Sequence, residues 1–147
     1  MPVLPAIALA AVLLALGVAA GLLLGGGDGA GDATSGRMVV LAPVGPEAAG
    51  AEGTATLDAP GGRATVRLRN LPPSEEGQFY GLWLLNSADD LLGLGSFTVP
   101  ASGAVDVTVP LPEQARRFTA LDLSLEPDDG DPAHSTVSVL RAPLQSG

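Results

Sequence analysis

A Ser-His-Asp arrangement needs a positioned imidazole, and the sequence offers a single histidine, His134. It stands in Asp131-Pro132-Ala133-His134-Ser135, a proline-containing turn that reads as exposed loop, and no Gly-x-Ser-x-Gly elbow accompanies it. Asp128, Asp129 and Asp131 cluster around Gly130, where hard oxygen ligands in a turn suit calcium. Their spacing departs from an EF-hand loop, and the plainer reading is a solvated turn built from the residues turns favour. Asn86, Asp89 and Asp90 read as a hairpin tip, and adjacent carboxylates there are ordinarily solvated. Arg63, Arg67 and Arg69 share one face of a strand, either as a site for an anionic partner or as an outer face paired with neighbouring acids; a wet face must be polar somewhere, which favours the second. No residue is therefore assigned a catalytic, cofactor-binding or metal-binding role, no cofactor is expected, and the chain reads as a protein that binds and does not catalyse.

Composition narrows the classes further. The 147 residues carry 16 acidic and 7 basic side chains for a net charge of −9, and every basic residue is Arg. An acidic domain repels phosphate backbones, so nucleic acid is excluded as a partner. With no Cys there is neither a disulfide framework nor a thiolate metal site, and one histidine cannot build a histidine-rich zinc site.

The elements that must position these residues alternate with period two. Ala64, Val66 and Leu68 alternate with Arg63, Thr65, Arg67 and Arg69. Val105, Val107 and Val109 alternate with Ala104, Asp106 and Thr108. Leu121, Leu123 and Leu125 alternate with Ala120, Asp122 and Ser124, and Val137 and Val139 with Thr136, Ser138 and Leu140. Such patterns predict strands with one buried and one wet face. Stretches 78–85 and 91–98 are apolar on both faces and read as central strands, while 38–41 and 54–57 complete about eight short strands. Ala59-Pro60-Gly61-Gly62, Leu71-Pro72-Pro73, Pro100-Ala101-Ser102-Gly103 and Pro127-Asp128-Asp129-Gly130 supply the turns, and a helical turn is expected only over 111–117. The fold class expected for 37–143 is all-β, an antiparallel β-sandwich or a small barrel, the sandwich being preferred, with Trp83 and Tyr80 as core anchors and Gly81 leaving room for a close neighbour.

Before this domain, residues 3–27 hold no charge, and 6–24 form a run long enough to span about 28 Å as a helix, close to the hydrocarbon core of a bilayer. Residues 1–24 thus read as a transmembrane helix or a signal peptide. Val18-Ala19-Ala20 is acceptable for cleavage, but no Lys or Arg opens the chain and the apolar run continues to Leu24, which suits an anchor better. Residues 25–36, GGGDGAGDATSG, read as a flexible Gly-rich tether.

One stretch is more specific. Asn70-Leu71-Pro72 followed by Tyr80-Gly81-Leu82-Trp83, then Gly95-Ser96-Phe97, Ser102-Gly103 and Leu125-Glu126-Pro127-Asp128-Asp129-Gly130, resembles in order and spacing the extracytoplasmic C-terminal domain of anti-sigma-K factors, over about 55–142. The family shows Gly-Leu-Pro before a Tyr-x-Leu-Trp strand; here Asn70 replaces that Gly, and the late strand 121–125 is more acidic and Leu-rich than the family pattern. The resemblance implies a single-pass cell-membrane protein with its C-terminal domain extracytoplasmic, a sigma factor held inactive on the cytoplasmic side, and an outer β-domain that senses or gates regulated proteolysis. Because the apolar run begins at Val3, the family's N-terminal sigma-binding domain is expected to be absent, and the partners implied are the membrane, membrane proteases, and a sigma factor or separate cytoplasmic inhibitor. The tether would be the protease-accessible segment. The alternative reading is a tethered cell-envelope interaction or structural domain with no role in transcription.

Overall fold

The computed structural model describes residues 36–144. The expected membrane helix at 1–24 and all of the tether except Gly36 lie outside the described residues. Among the described residues no helix is long and apolar enough to cross a membrane.

Eight strands form where the alternation places them: β1 (Arg37–Pro43), β2 (Glu52–Asp58), β3 (Arg63–Arg69), β4 (Gln78–Ser87), β5 (Asp90–Phe97), β6 (Val105–Pro110), β7 (Ala120–Pro127) and β8 (Ser138–Pro143). Short 3-10 turns at Pro46–Ala48 and Glu113–Arg117 are the helical elements described; the second falls within the predicted turn. All pairings are antiparallel.

In place of the preferred sandwich of two sheets there is one eight-stranded sheet in the order β5-β4-β7-β8-β1-β2-β3-β6, nearly closed and so nearer to the small-barrel alternative, with β5 and β6 approaching each other across the ends. The cause lies in β1. Arg37 to Leu41 pair with β2, whereas Ala42 and Pro43 pair with Arg141 and Leu140 of β8, so one strand passes from one half of the sheet into the other. A strand that changes partners along its length makes a corner and joins two layers that would otherwise stay separate.

Between the halves, Leu41, Val66 and Leu68 meet Tyr80, Leu82, Leu84, Leu121, Leu123 and Leu140, all essentially without exposure. Burying each such side chain contributes about 1.5–3 kcal/mol, which makes this interior the main source of stability. Tyr80 donates from its hydroxyl to the carbonyl of Pro72 at 2.8 Å, so its polar end is satisfied inside.

Four expectations are corrected. Strand β5 is an edge strand, not a central one; its apolar residues pack only partly because no strand pairs with its second side. Val137 and Val139 do not share a buried face: Val139 is buried and Val137 exposed. The register shifts between Leu123↔Leu140 and Ser124↔Ser138, which leaves Val139 unpaired with β7 and reverses the facing of what precedes it. Trp83 is half-buried on the outer face, because Tyr80, Leu82 and Leu84 take the inward positions of β4. Finally, Asp122 and Ser124, expected on a wet face, have no exposure at all.

Candidate functional site

The covered outer face of β7 gathers most of the side chains singled out for chemistry. Register places Trp83 and Arg141 on either side of Asp122, with Gly81 beside Ser124 in the adjacent row. A Cβ at Gly81 would stand 2.6 Å from Trp83 Nε1, so the indole lies where a side chain at position 81 would otherwise be. From there Trp83 Nε1 donates to Ser124 Oγ at 2.9 Å. Gly93, paired with Trp83 on β5, leaves the ring's other side open in the same way.

The segment 128–137 closes over this face. Asp129 accepts from the N–H of Asp131 and Asp131 from that of Ala133, each at 2.9 Å, so these carboxylates cap consecutive turns. Among the described residues no group of three or more His, Cys, Asp or Glu side chains is placed to hold a metal ion. The turns bring His134 down onto β7, where its side chain is only 9% exposed, a correction to the exposed loop expected. Its ring meets Trp83 edge-on with centroids 5.1 Å apart. Ser135 fastens the end of the segment: its N–H donates to Glu126 Oε2 at 2.7 Å and its hydroxyl to the Leu125 carbonyl at 2.6 Å. Ser124 gives its own hydroxyl hydrogen to the other Glu126 oxygen.

Asp122 is the centre of the network. Arg141 Nε donates to Oδ1 at 2.7 Å, and the Ser138 hydroxyl to Oδ2 at 2.9 Å. His134 Nε2 lies 3.0 Å from Oδ2. The Thr136 N–H donates to His134 Nδ1 at 2.8 Å, with Thr136 in the left-handed region at φ 68°. A ring nitrogen that accepts carries no hydrogen, so the proton is assigned to Nε2, which donates to Asp122. Among the described residues every buried side-chain nitrogen and oxygen has a partner.

This geometry decides what His134 can do. A general base must offer a nitrogen to a nucleophile while its other N–H is held by the orienting carboxylate. Here the carboxylate is present, but the second nitrogen is occupied by a backbone amide, and neither nearby hydroxyl points to the ring: Ser135 serves Leu125 and Ser138 serves Asp122. The cluster is a clasp that locks a loop onto a sheet. A cleft of about 250 Å³ beside it is lined by Leu85, Asn86, Leu91, His134, Ser138 and Arg141 among others.

The other candidates lie elsewhere. Asn86 and Asp90 do form a hairpin tip, where the Asn86 amide donates to Asp90 and Arg117 pairs with the same carboxylate at 2.9 Å. The Asn86 hydrogen bond chiefly lowers the Asp90 pKa; burial opposes it, and Arg117 adds further lowering. On the outer face of β3, Arg63 pairs with Asp58 at 3.2 Å and Arg69 with Asp106 at 2.8 Å, as the face-of-ion-pairs reading expected. The Arg69 hydrogen bond holds Asp106 below its ordinary pKa.

Nothing in the sequence announced the clasp as a unit, because Trp83, Asp122, Glu126, His134, Ser138 and Arg141 come from three strands and a loop. The available signal was a run of acidic and hydroxyl residues alternating with Leu in β7, too polar to be idle and too regular to be a loop. Compared with known families, the chain matches the model described as "Anti-sigma-K factor rskA, C-terminal" over residues 4–139. No curated protein and no solved structure matches it.

Proposed function

We propose, on the premise that the chain belongs to the anti-sigma-K factor family, whose C-terminal domain it carries, that it is a membrane-anchored regulator of sigma factor activity acting by binding and gating, not by catalysis. The observation that carries this reading is the extent of the family match, which runs from the apolar N-terminal stretch through the β-domain to residue 139. The uncharged run 3–27 supports an anchor, and the β-domain that follows would then stand outside the cytoplasm. The site supports a role without chemistry, since its polar groups are spent on one another. In this reading the β-domain is a compact body on a Gly-rich tether, and a protease would act on the tether while the strands, paired and packed, resist. A signal would reach the sigma factor through access to that tether, directly or through a separate cytoplasmic inhibitor.

The test combines location with output. A C-terminally tagged chain expressed in its source cell should fractionate with the membrane, with the tag open to protease added outside the cytoplasmic membrane. Deleting the gene should change a coherent set of sigma-dependent transcripts. A membrane-bound chain whose deletion leaves every transcript unchanged, with and without envelope stress, would overturn the regulatory role and leave a tethered envelope domain. A soluble chain would overturn the anchor.

A further inference from the structure

The corner made by β1 opens the domain at one end. Toward the start of β1 and the end of β8, beyond the Ala42–Arg141 pair, the two strands no longer pair with each other. Pro143 has no N–H to give, and the N–H of Leu144 turns to the carbonyl of Thr119 at 2.7 Å, so this end of β8 follows β7. The beginning of β1 follows β2 instead. Between them lies a cleft of about 300 Å³ walled by Leu57, Leu84, Leu111, Phe118 and Leu144, with the 3-10 turn Glu113–Arg117 along one side. That is roughly twice the ~150 Å³ cavity that accommodates a benzene molecule. Close-packed interiors leave few voids of even water size, and an apolar cleft this large with a few polar groups at its mouth is the usual form of a ligand site.

The mouth supplies the polar groups. Arg37, Arg116 and Glu113 stand on its rim. Among the described residues neither Arg37 nor Arg116 belongs to an ion pair. Each makes only a main-chain contact, Arg37 with the carbonyl of Leu144 and Arg116 with that of Glu113. Their guanidinium groups line the mouth of a cleft whose wall is largely hydrocarbon. Two guanidinium groups against the one carboxylate of Glu113 leave the rim net positive, and a positive rim over an apolar slot complements an anion carried on an alkyl chain.

We infer that this cleft binds a medium-chain fatty carboxylate, the chain against the apolar wall of the cleft and the carboxylate at Arg37 and Arg116. The inference goes beyond the regulatory reading and does not depend on it. The full-length chain in phosphatidylcholine vesicles should be irradiated with a decanoate analogue bearing a diazirine near the chain end, and the adducts mapped by mass spectrometry. Adducts should fall on Leu57, Leu84, Phe118 or Leu144 and be competed by decanoate but far less by its methyl ester. Arg116→Glu should lower their yield about tenfold, the effect of losing a charge-assisted contact. Ala115→Trp, which fills the cleft from the half-buried side of the 3-10 turn, should abolish them. Adducts confined to the apolar N-terminal run, equal competition by the ester, or an Arg116→Glu chain that labels like the wild type would each overturn the assignment. Because Arg116 is exposed, that variant tests the site even if Ala115→Trp fails to fold.

Discussion

Asp122 holds a carboxylate with no exposure, and three donors from β8 and the loop after β7 surround it. Removing a buried charge's partners is costly because the remaining charge cannot reach water, and the penalty depends on what stays behind. In Asp122→Ala both Ser138 and His134 lose a buried acceptor, while the Arg141 guanidinium, 42% exposed, still reaches water, for an expected cost of about 2–6 kcal/mol in urea unfolding, one desolvation penalty for each stranded donor. His134→Ala leaves Arg141 and Ser138 in place and should cost about 1–3 kcal/mol. Equal losses in the two variants would show that the loop clasp, and not the buried charge, dominates. Tyr80 gives a second residue-scale test. Burial raises its pKa above the ordinary value of 10.0, since the phenolate form would be stranded in the core. A group whose folded pKa is raised contributes stability that is fully present below its unfolded pKa and is lost as pH rises through the folded value. The domain should therefore weaken above about pH 10, and Tyr80→Phe should remove that alkaline limb while costing about 1 kcal/mol for the bond to Pro72. Tyr80 is the one tyrosine in the chain, so the ultraviolet absorbance of tyrosinate reports on it alone.

Strand positions were legible where both the pattern and the environment were simple. β3 and β6 show their alternation openly because solvent covers their outer face, and the three arginines of β3 read correctly as that face. β7 shows the same alternation, but its polar side is roofed by a loop that begins after the strand ends. A strand's own period says which residues share a face; it does not say what lies above that face. Trp83 illustrates the same limit on β4. It and Tyr80 stand on opposite faces, and a shift of one residue exchanges which of them enters the core. The close approach expected at Gly81 is present, but the neighbour is Trp83 itself, folded back along its own strand face. Gly81→Ala should drive the indole off Ser124, costing about 1–3 kcal/mol as overpacking, with a red-shifted emission from the chain's one tryptophan. An unshifted spectrum would mean that the strand yields and the ring stays.

For the molecule as a whole, the all-β class and the number of strands followed from periodicity and turn residues, whereas the choice between separate sheets and near closure did not. Closure rests on two residues of β1, Ala42 and Pro43, whose choice of β8 over β2 leaves no mark in a local pattern. β3 pairs with β6, β4 with β7 and β1 with β8, all across long stretches of chain. Such topology places folding on the order of milliseconds to seconds. Refolding followed by Trp83 fluorescence should be that slow, and a microsecond phase carrying the full amplitude would show that the non-local pairings form earlier than topology predicts. The contact between Arg37 and Leu144 has a separate consequence. The first strand starts where the last one finishes, so the path through the domain is a nearly closed loop. The order in which the strands are strung is then separable from the way they pack: a permuted chain that joins 144 to 37 through a few residues and opens at the exposed turn 128–130 retains every strand pair.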